Sequence, residues 1–163
     1  MNQPAASPVT AAPDRDELTL VYSCSGCSSA AQLANHLAVR LDREGSAEMS
    51  CIAGIGGHVP SLLRKAQRAV ASGRPILAID GCALACVRAS LAQHQIVPTV
   101  HRQLDADGVK KTYHADFDAE QADALLGELR TQVQSMNRLR AQPRASQAPG
   151  GCGGTGQCRC AGG

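Results

Sequence analysis

Three times in succession the chain sets a short run of β-forming residues before a longer stretch whose apolar residues recur every three or four positions. Residues 17–24, "ELTLVYSC", precede a stripe of Leu33, Leu37 and Leu41 flanked by Ala30, Ala34 and Ala38, which Gly45 ends. "AEMSCIAG", residues 47–54, precedes a second stripe that starts at Pro60, runs through Leu62, Leu63, Ala66, Ala69 and Val70, and stops at Gly73. "RPILAID" is continuously apolar up to its aspartate, as in a strand covered on both faces, and Leu84, Val87 and Leu91 give the face of a third helix. A βαβαβα order of this kind implies a parallel sheet with right-handed crossovers. Residues 96–104, "IVPTVHRQL", read as a fourth strand that Pro98 pushes to an edge. "DADG" is a turn, and Asp118 with Gln121 resembles a capping box that opens a last helix bearing Leu125, Leu126, Leu129, Val133 and Met136. The expected fold class is therefore α/β: three layers, a mostly parallel sheet of about four strands with flanking helices, Rossmann- or flavodoxin-like.

The 163 residues suffice for one self-supporting core. Residues 1–16, rich in Ala, Pro and Ser, read as a disordered arm; residues 17–140 form the α/β domain, and residues 141–163 a flexible tail rich in Gly and Cys. The arm lacks the apolar segment of a secretory signal, and no run is long enough to span a bilayer, so the expectation is a cytoplasmic protein with no membrane partner. A net charge of +2 offers no field to hold a phosphate backbone. Tyr22, Tyr113 and Phe117 are the whole aromatic complement, leaving little on which bases could stack, and nucleic acid is not an expected partner.

Eight cysteines are many for a chain in a reducing compartment, where metal binding and redox chemistry are the usual reasons to keep thiols. Each of the first three predicted strands ends in cysteine: Cys24 with Cys27, then Cys51, then Cys82 with Cys86. Ligands of open parallel sheets gather outside the carboxyl ends of the strands, near a reversal of strand order. All five thiols are thus expected at one edge, whereas cysteines used only as core filler would have no reason to stop there. Gly81 permits a tight turn, Cys86 is expected one helical turn beyond Cys82 on the same face, and the flanking helix starts should make these thiols more acidic than a free cysteine. Four sulfurs around one ion at ~2.3 Å is the closed geometry of structural zinc, although an iron–sulfur cluster would use the same thiolates.

The blocks "CSGCSS…QLANHLA", "AEMSCIAGIGG" and "ILAIDGCALAC" together resemble the DGC-domain proteins, a family named for the Asp-Gly-Cys that stands here as Asp80-Gly81-Cys82. The resemblance covers residues 18 to 111 and implies zinc held by four cysteines, which map onto Cys24, Cys51, Cys82 and Cys86. Cys27 is surplus to that pattern and is expected as an auxiliary ligand, with Asp80 and Gly81 supporting the site from behind. The family's resemblance names a site and no reaction. The expected role is a metal-binding accessory protein for homeostasis, delivery or sensing, whose partners are the metal ion and a metal donor or acceptor protein.

Other readings compete with it. "SCSGC" between a strand and a helix could serve a thiol–disulfide oxidoreductase through Cys24 and Cys27, but three further cysteines should crowd the same pocket. Cys82 to Arg88 match the C-x5-R phosphate cradle, yet "ALACV" is helix-forming and Ala89 stands where a hydroxyl would be needed, so Arg88 reads as a solvated helix residue. The glycines of "AGIGG" have neither Walker nor dinucleotide spacing and are expected to let backbone pass close beside Cys51. His58, near the second-strand end of the site, could be a ligand or support one but reads better as a surface histidine at a helix start, His36 and His94 read as solvated helix residues, and His101 and His114 as belonging to irregular segments. Asp80 is expected to hold its turn by bonding backbone N–H groups. In the tail, Cys152, Cys158 and Cys160 could pass metal to or from the fixed site by ligand exchange, or could be incidental thiols.

Overall fold

Strand β1 (Leu20–Ser23) is buried along its whole length, and the chain leaves it through a loop to Ser28, whose hydroxyl accepts the Ala31 N–H and starts helix α1 (Ser29–Arg43). Leu33, Leu37, Leu41 and the interleaved Ala30, Ala34 and Ala38 are fully buried, so the predicted stripe is the core face of α1. Gly45 takes up φ 70°, the left-handed conformation that ends a helix at least cost to glycine. A computed structural model describes residues 14–142 of the chain. Its remaining elements are β2 (Glu48–Met49), α2 (Ile52–Gly56), α3 (Pro60–Ala71), β3 (Ile76–Asp80), α4 (Cys86–Ala92), β4 (Val100–Gln103) and α5 (Ala119–Ala141).

The four strands form one parallel sheet in the order β2-β1-β3-β4. β1 and β3 lie at the centre, and the chain moves from β1 to one side for β2 and to the other for β3, so the strand order reverses between them. Helices α1 and α5 pack together, while α2 packs on both α3 and α4. This is the expected three-layer α/β arrangement, with β4 at an edge.

Four local expectations give way to tertiary context. The second strand is only two residues long, and "IAGIG" winds into α2 beyond it. The third helix begins at Cys86, because the chain first makes a turn in which Cys82 O accepts the Ala85 N–H and Ala85 adopts φ 48°. Leu84 is consequently 70% exposed and belongs to no helical face, and Val70 likewise points away from the core at 50% exposure. The folded part also starts earlier than expected: Arg15–Glu17 form a 3-10 turn capped by Asp14 and tied to the domain by Arg74. Residues 1–13 and the Cys152, Cys158 and Cys160 tail lie outside the described residues. Among the described residues, no helix is long and apolar enough to cross a membrane.

Candidate functional site

The carboxyl ends of β1 and β3 meet at the reversal of strand order, the place where an open parallel sheet leaves a crevice. Cys24 follows β1 directly, and its N–H bonds to Ile79 O as the last rung between the two central strands. The residue is 7% exposed, and its sulfur accepts the Gly81 N–H at 3.1 Å. Gly81 is needed for close approach: a Cβ there would lie 2.5 Å from Ala30 O and 2.9 Å from Ala31 N at the start of α1. The turn into Cys82 is thus wedged against the first turn of α1, and its φ is not the reason for glycine.

Asp80, the last residue of β3 and nearly fully buried, organises the next layer. Its carboxylate accepts the Val87 N–H at 2.8 Å and the Arg88 N–H at 3.2 Å, capping α4 from the sheet, and its Oδ2 lies 2.9 Å from His101 Nε2 on β4. One side chain therefore joins β3, α4 and β4 directly beneath Cys82 and Cys86. On the outer side, the Lys111 ammonium donates to the Cys82 sulfur at 3.5 Å and lies 5.3 Å from the centre of the Tyr113 ring. The Tyr113 oxygen, and after it the Cys82 sulfur, raise the Lys111 pKa. Neither His101 nor Lys111 was expected at the site. His101 sits in the edge strand and not in an irregular segment, and Lys111 comes from a loop 29 residues beyond Cys82 with no local pattern to mark it.

Burial pushes the Cys24 thiol up to about 11, and the neighbouring charges of Asp80, Cys86 and Cys82 push the same way against the Gly81 hydrogen bond. This corrects the expectation that Cys24 is more acidic than a free cysteine. Desolvation in the crevice outweighs the Gly81 hydrogen bond. A thiol so strongly protonated at neutral pH is a poor nucleophile, which weighs against a Cys24/Cys27 redox couple.

Of the five thiols expected at one edge, Cys82 and Cys86 lie near enough to Cys24 for their charges to act on its thiol. Cys82 is half-buried and Cys86, the first residue of α4, is exposed. Cys51 and Cys27 are both exposed. Because β2 stops at Met49, Cys51 becomes the cap residue of α2 and opens onto a cavity of about 490 Å³ shared with Ser23, Ser50 and Met49. Cys82 and Cys86 do not share a helical face, since only Cys86 is helical. Among the described residues, no three His, Cys, Asp or Glu side chains are placed to hold a metal ion as they stand. The donor chemistry suits a thiophilic ion such as zinc, while closure around one requires the exposed thiols to turn toward Cys24.

The DGC domain model matches residues 20–129, a span that contains all four strands, every described thiol and Lys111. A curated relative, the anaerobic and virulence modulator AnvM of Pseudomonas aeruginosa, is 59% identical over 114 residues, which cover 70% of this chain and 84% of the relative. No solved structure matches the chain. With the Asp-Gly-Cys at the switch point of the sheet and the family match running across it, the chain belongs to the DGC-domain family.

Proposed function

We propose that the protein is a thiolate metal-binding accessory protein whose ion is zinc, acting in metal homeostasis, delivery or sensing. Cys24, Cys82 and Cys86 are the inner ligands, Cys51 on the neighbouring α2 is the fourth, and Cys27 is an alternate. The observation that carries the reading is the placement of Cys24 directly after β1, and of Cys82 and Cys86 after β3, where the order of the sheet reverses between the two central strands. Sulfur ligands suit zinc and would close a structural type of site. Asp80 holds the α4 start, Gly81 lets α1 close over the turn, and Lys111 supplies a cation beside Cys82. Binding must displace the Cys24 proton, so affinity should rise with pH. The Pseudomonas relative is named as a modulator, and a regulatory role suits a site whose sulfurs can be occupied by an ion or oxidised.

Elemental analysis of protein purified aerobically and anaerobically from zinc-replete cells tests this. One zinc per chain is expected in the wild type, with Cys24, Cys82 and Cys86 protected from alkylation, and substoichiometric zinc in Cys82→Ser. A metal-free wild type from both preparations rules the proposal out. A brown anaerobic preparation carrying iron and sulfide would transfer the same thiolates to an iron–sulfur cluster.

A further inference from the structure

Beyond α4 the chain turns back at Gln95, which takes up φ 58°, and the Ile96 N–H bonds to Leu91 O at 3.1 Å before residues 97–99 lead into the edge strand β4. Helix, returning segment and strand border a cavity of about 360 Å³. Ala92, Ile96, Val97 and Pro98 supply its apolar wall, its polar lining includes Arg88 and His101, and no carboxylate lines it. Val97 is 82% exposed, more than any other large apolar side chain among the described residues. One buried atom positions both cationic residues: Asp80 Oδ2 accepts the Arg88 backbone N–H at 3.2 Å and lies 2.9 Å from His101 Nε2, so α4 and β4 present Arg88 and His101 side by side. The imidazole is thereby held with Nδ1 as its remaining nitrogen, while Asp80, 1% exposed, is not part of the lining. The Arg88 side chain is exposed and pairs with no carboxylate among the described residues.

We propose that this cavity binds a small monocarboxylate with an apolar body, of the medium-chain fatty-acid class. The planar fork of Arg88 takes the carboxylate, the His101 ring flanks it, and the apolar body lies against Ala92, Ile96, Val97 and Pro98. Charge selects the head group: the cavity offers a cation without an acid, so an anion gains a partner there, whereas an alcohol leaves the guanidinium to water and an amine meets repulsion. Volume selects the body. About 360 Å³ is near the lower end of small-molecule pockets and suits a chain of about six to ten carbons. Covering Val97 removes from water the most exposed large apolar side chain of the described residues. The site uses none of the cysteines and does not rest on the metal-binding reading.

Methyl NMR of the full reduced chain, titrated with octanoate, tests this. The signals of Ala92, Ile96 and Val97 are expected to move together and to saturate, while those of Val70 and Leu84, exposed apolar residues elsewhere on the surface, stay in place. Octanol, with the same body and no charge, and acetate, with the charge and no body, should each need at least about tenfold higher concentration for the same shift. Arg88→Gln, a change at an exposed position, should weaken octanoate at least about tenfold and leave the response to octanol as it was, and Arg88→Lys should recover part of the loss. Absence of a saturable shift, an equal response to octanol and octanoate, or unchanged octanoate affinity in Arg88→Gln overturns the proposal and leaves the cavity as a solvated groove. Because the readout is at methyl groups of α4 and the segment after it, the outcome is independent of whether the cysteines hold zinc.

Discussion

At the scale of single residues, Cys24 contains the main tension of the site. The position is legible in the sequence, because a strand that ends in cysteine beside an Asp-Gly-Cys turn points to the crevice. Its acid–base state was not legible, since that depends on how far α1 and the Gly81 turn close over the sulfur. With a folded pKa of about 11 against an ordinary 9.0, the folded state keeps a proton that the unfolded chain gives up. The favourable contribution of the neutral thiol is complete below the unfolded value and is lost as pH rises from about 9 to about 11, amounting to as much as ~2–3 kcal/mol. Chemical denaturation of metal-free protein at pH 8 and pH 11 should show this loss, and Cys24→Ala should lose less over the same interval. An equal loss in wild type and variant would mean that other groups govern the alkaline limb.

Among the elements, those with a long apolar stripe were readable, and those shaped by tertiary contacts were not. α1 and α5 follow their stripes, and the Asp118 side chain accepts the Gln121 N–H at 2.7 Å as the sequence pattern demands. α2 was missed because five residues of "IAGIG" carry too little periodicity to distinguish a helical turn from a strand end. The start of α4 was misplaced because its cap is not local: the oxygen that satisfies the first N–H groups belongs to Asp80, six residues before Cys86, across a turn that includes Ala85 at positive φ. The turn role of Asp80 is legible in the sequence, and its reach to His101 is not. Asp80→Ala should therefore cost about 2–4 kcal/mol, since it strands two backbone N–H groups and a ring nitrogen in a buried place. Asp80→Asn, which keeps one acceptor, should cost less. Denaturant titration of the three proteins measures both, and a loss below ~1 kcal/mol in Asp80→Ala would show that α4 has another cap.

Over the whole molecule, the two ends of the sheet carry different polar networks. The thiols and Asp80 lie at the carboxyl ends of the strands, whereas Arg74 lies at the amino ends, between α3 and β3. Its side chain is 5% exposed and donates to Leu18 O at 2.6 Å, to Arg15 O at 2.7 Å and to Glu48 at 2.5 Å. It thus joins the 3-10 turn, the entry to β1 and the edge strand β2. Burial opposes the charge on Glu48, but Lys65 and Arg74 together hold its pKa below the ordinary 4.5. The contact of Arg74 with Asp16 adds little, because that carboxylate is 82% exposed. "SGRPILAID" shows an arginine before a strand and gives no hint that it is buried, because the partners come from residues 15, 18 and 48. Arg74→Ala should cost about 2–4 kcal/mol by leaving two carbonyls unpaired and Glu48 with Lys65 as its sole cation, and Arg74→Lys should recover part of it with one point charge in place of the planar fork. The thiol end should not sense the change: below the unfolding transition, the alkylation rates of Cys27, Cys51 and Cys86 should match the wild type within about twofold, since mutations at distant, independent sites act additively. A selective acceleration at Cys51 would instead show that β2, released at its amino end, transmits the loss along its two residues to the cap of α2.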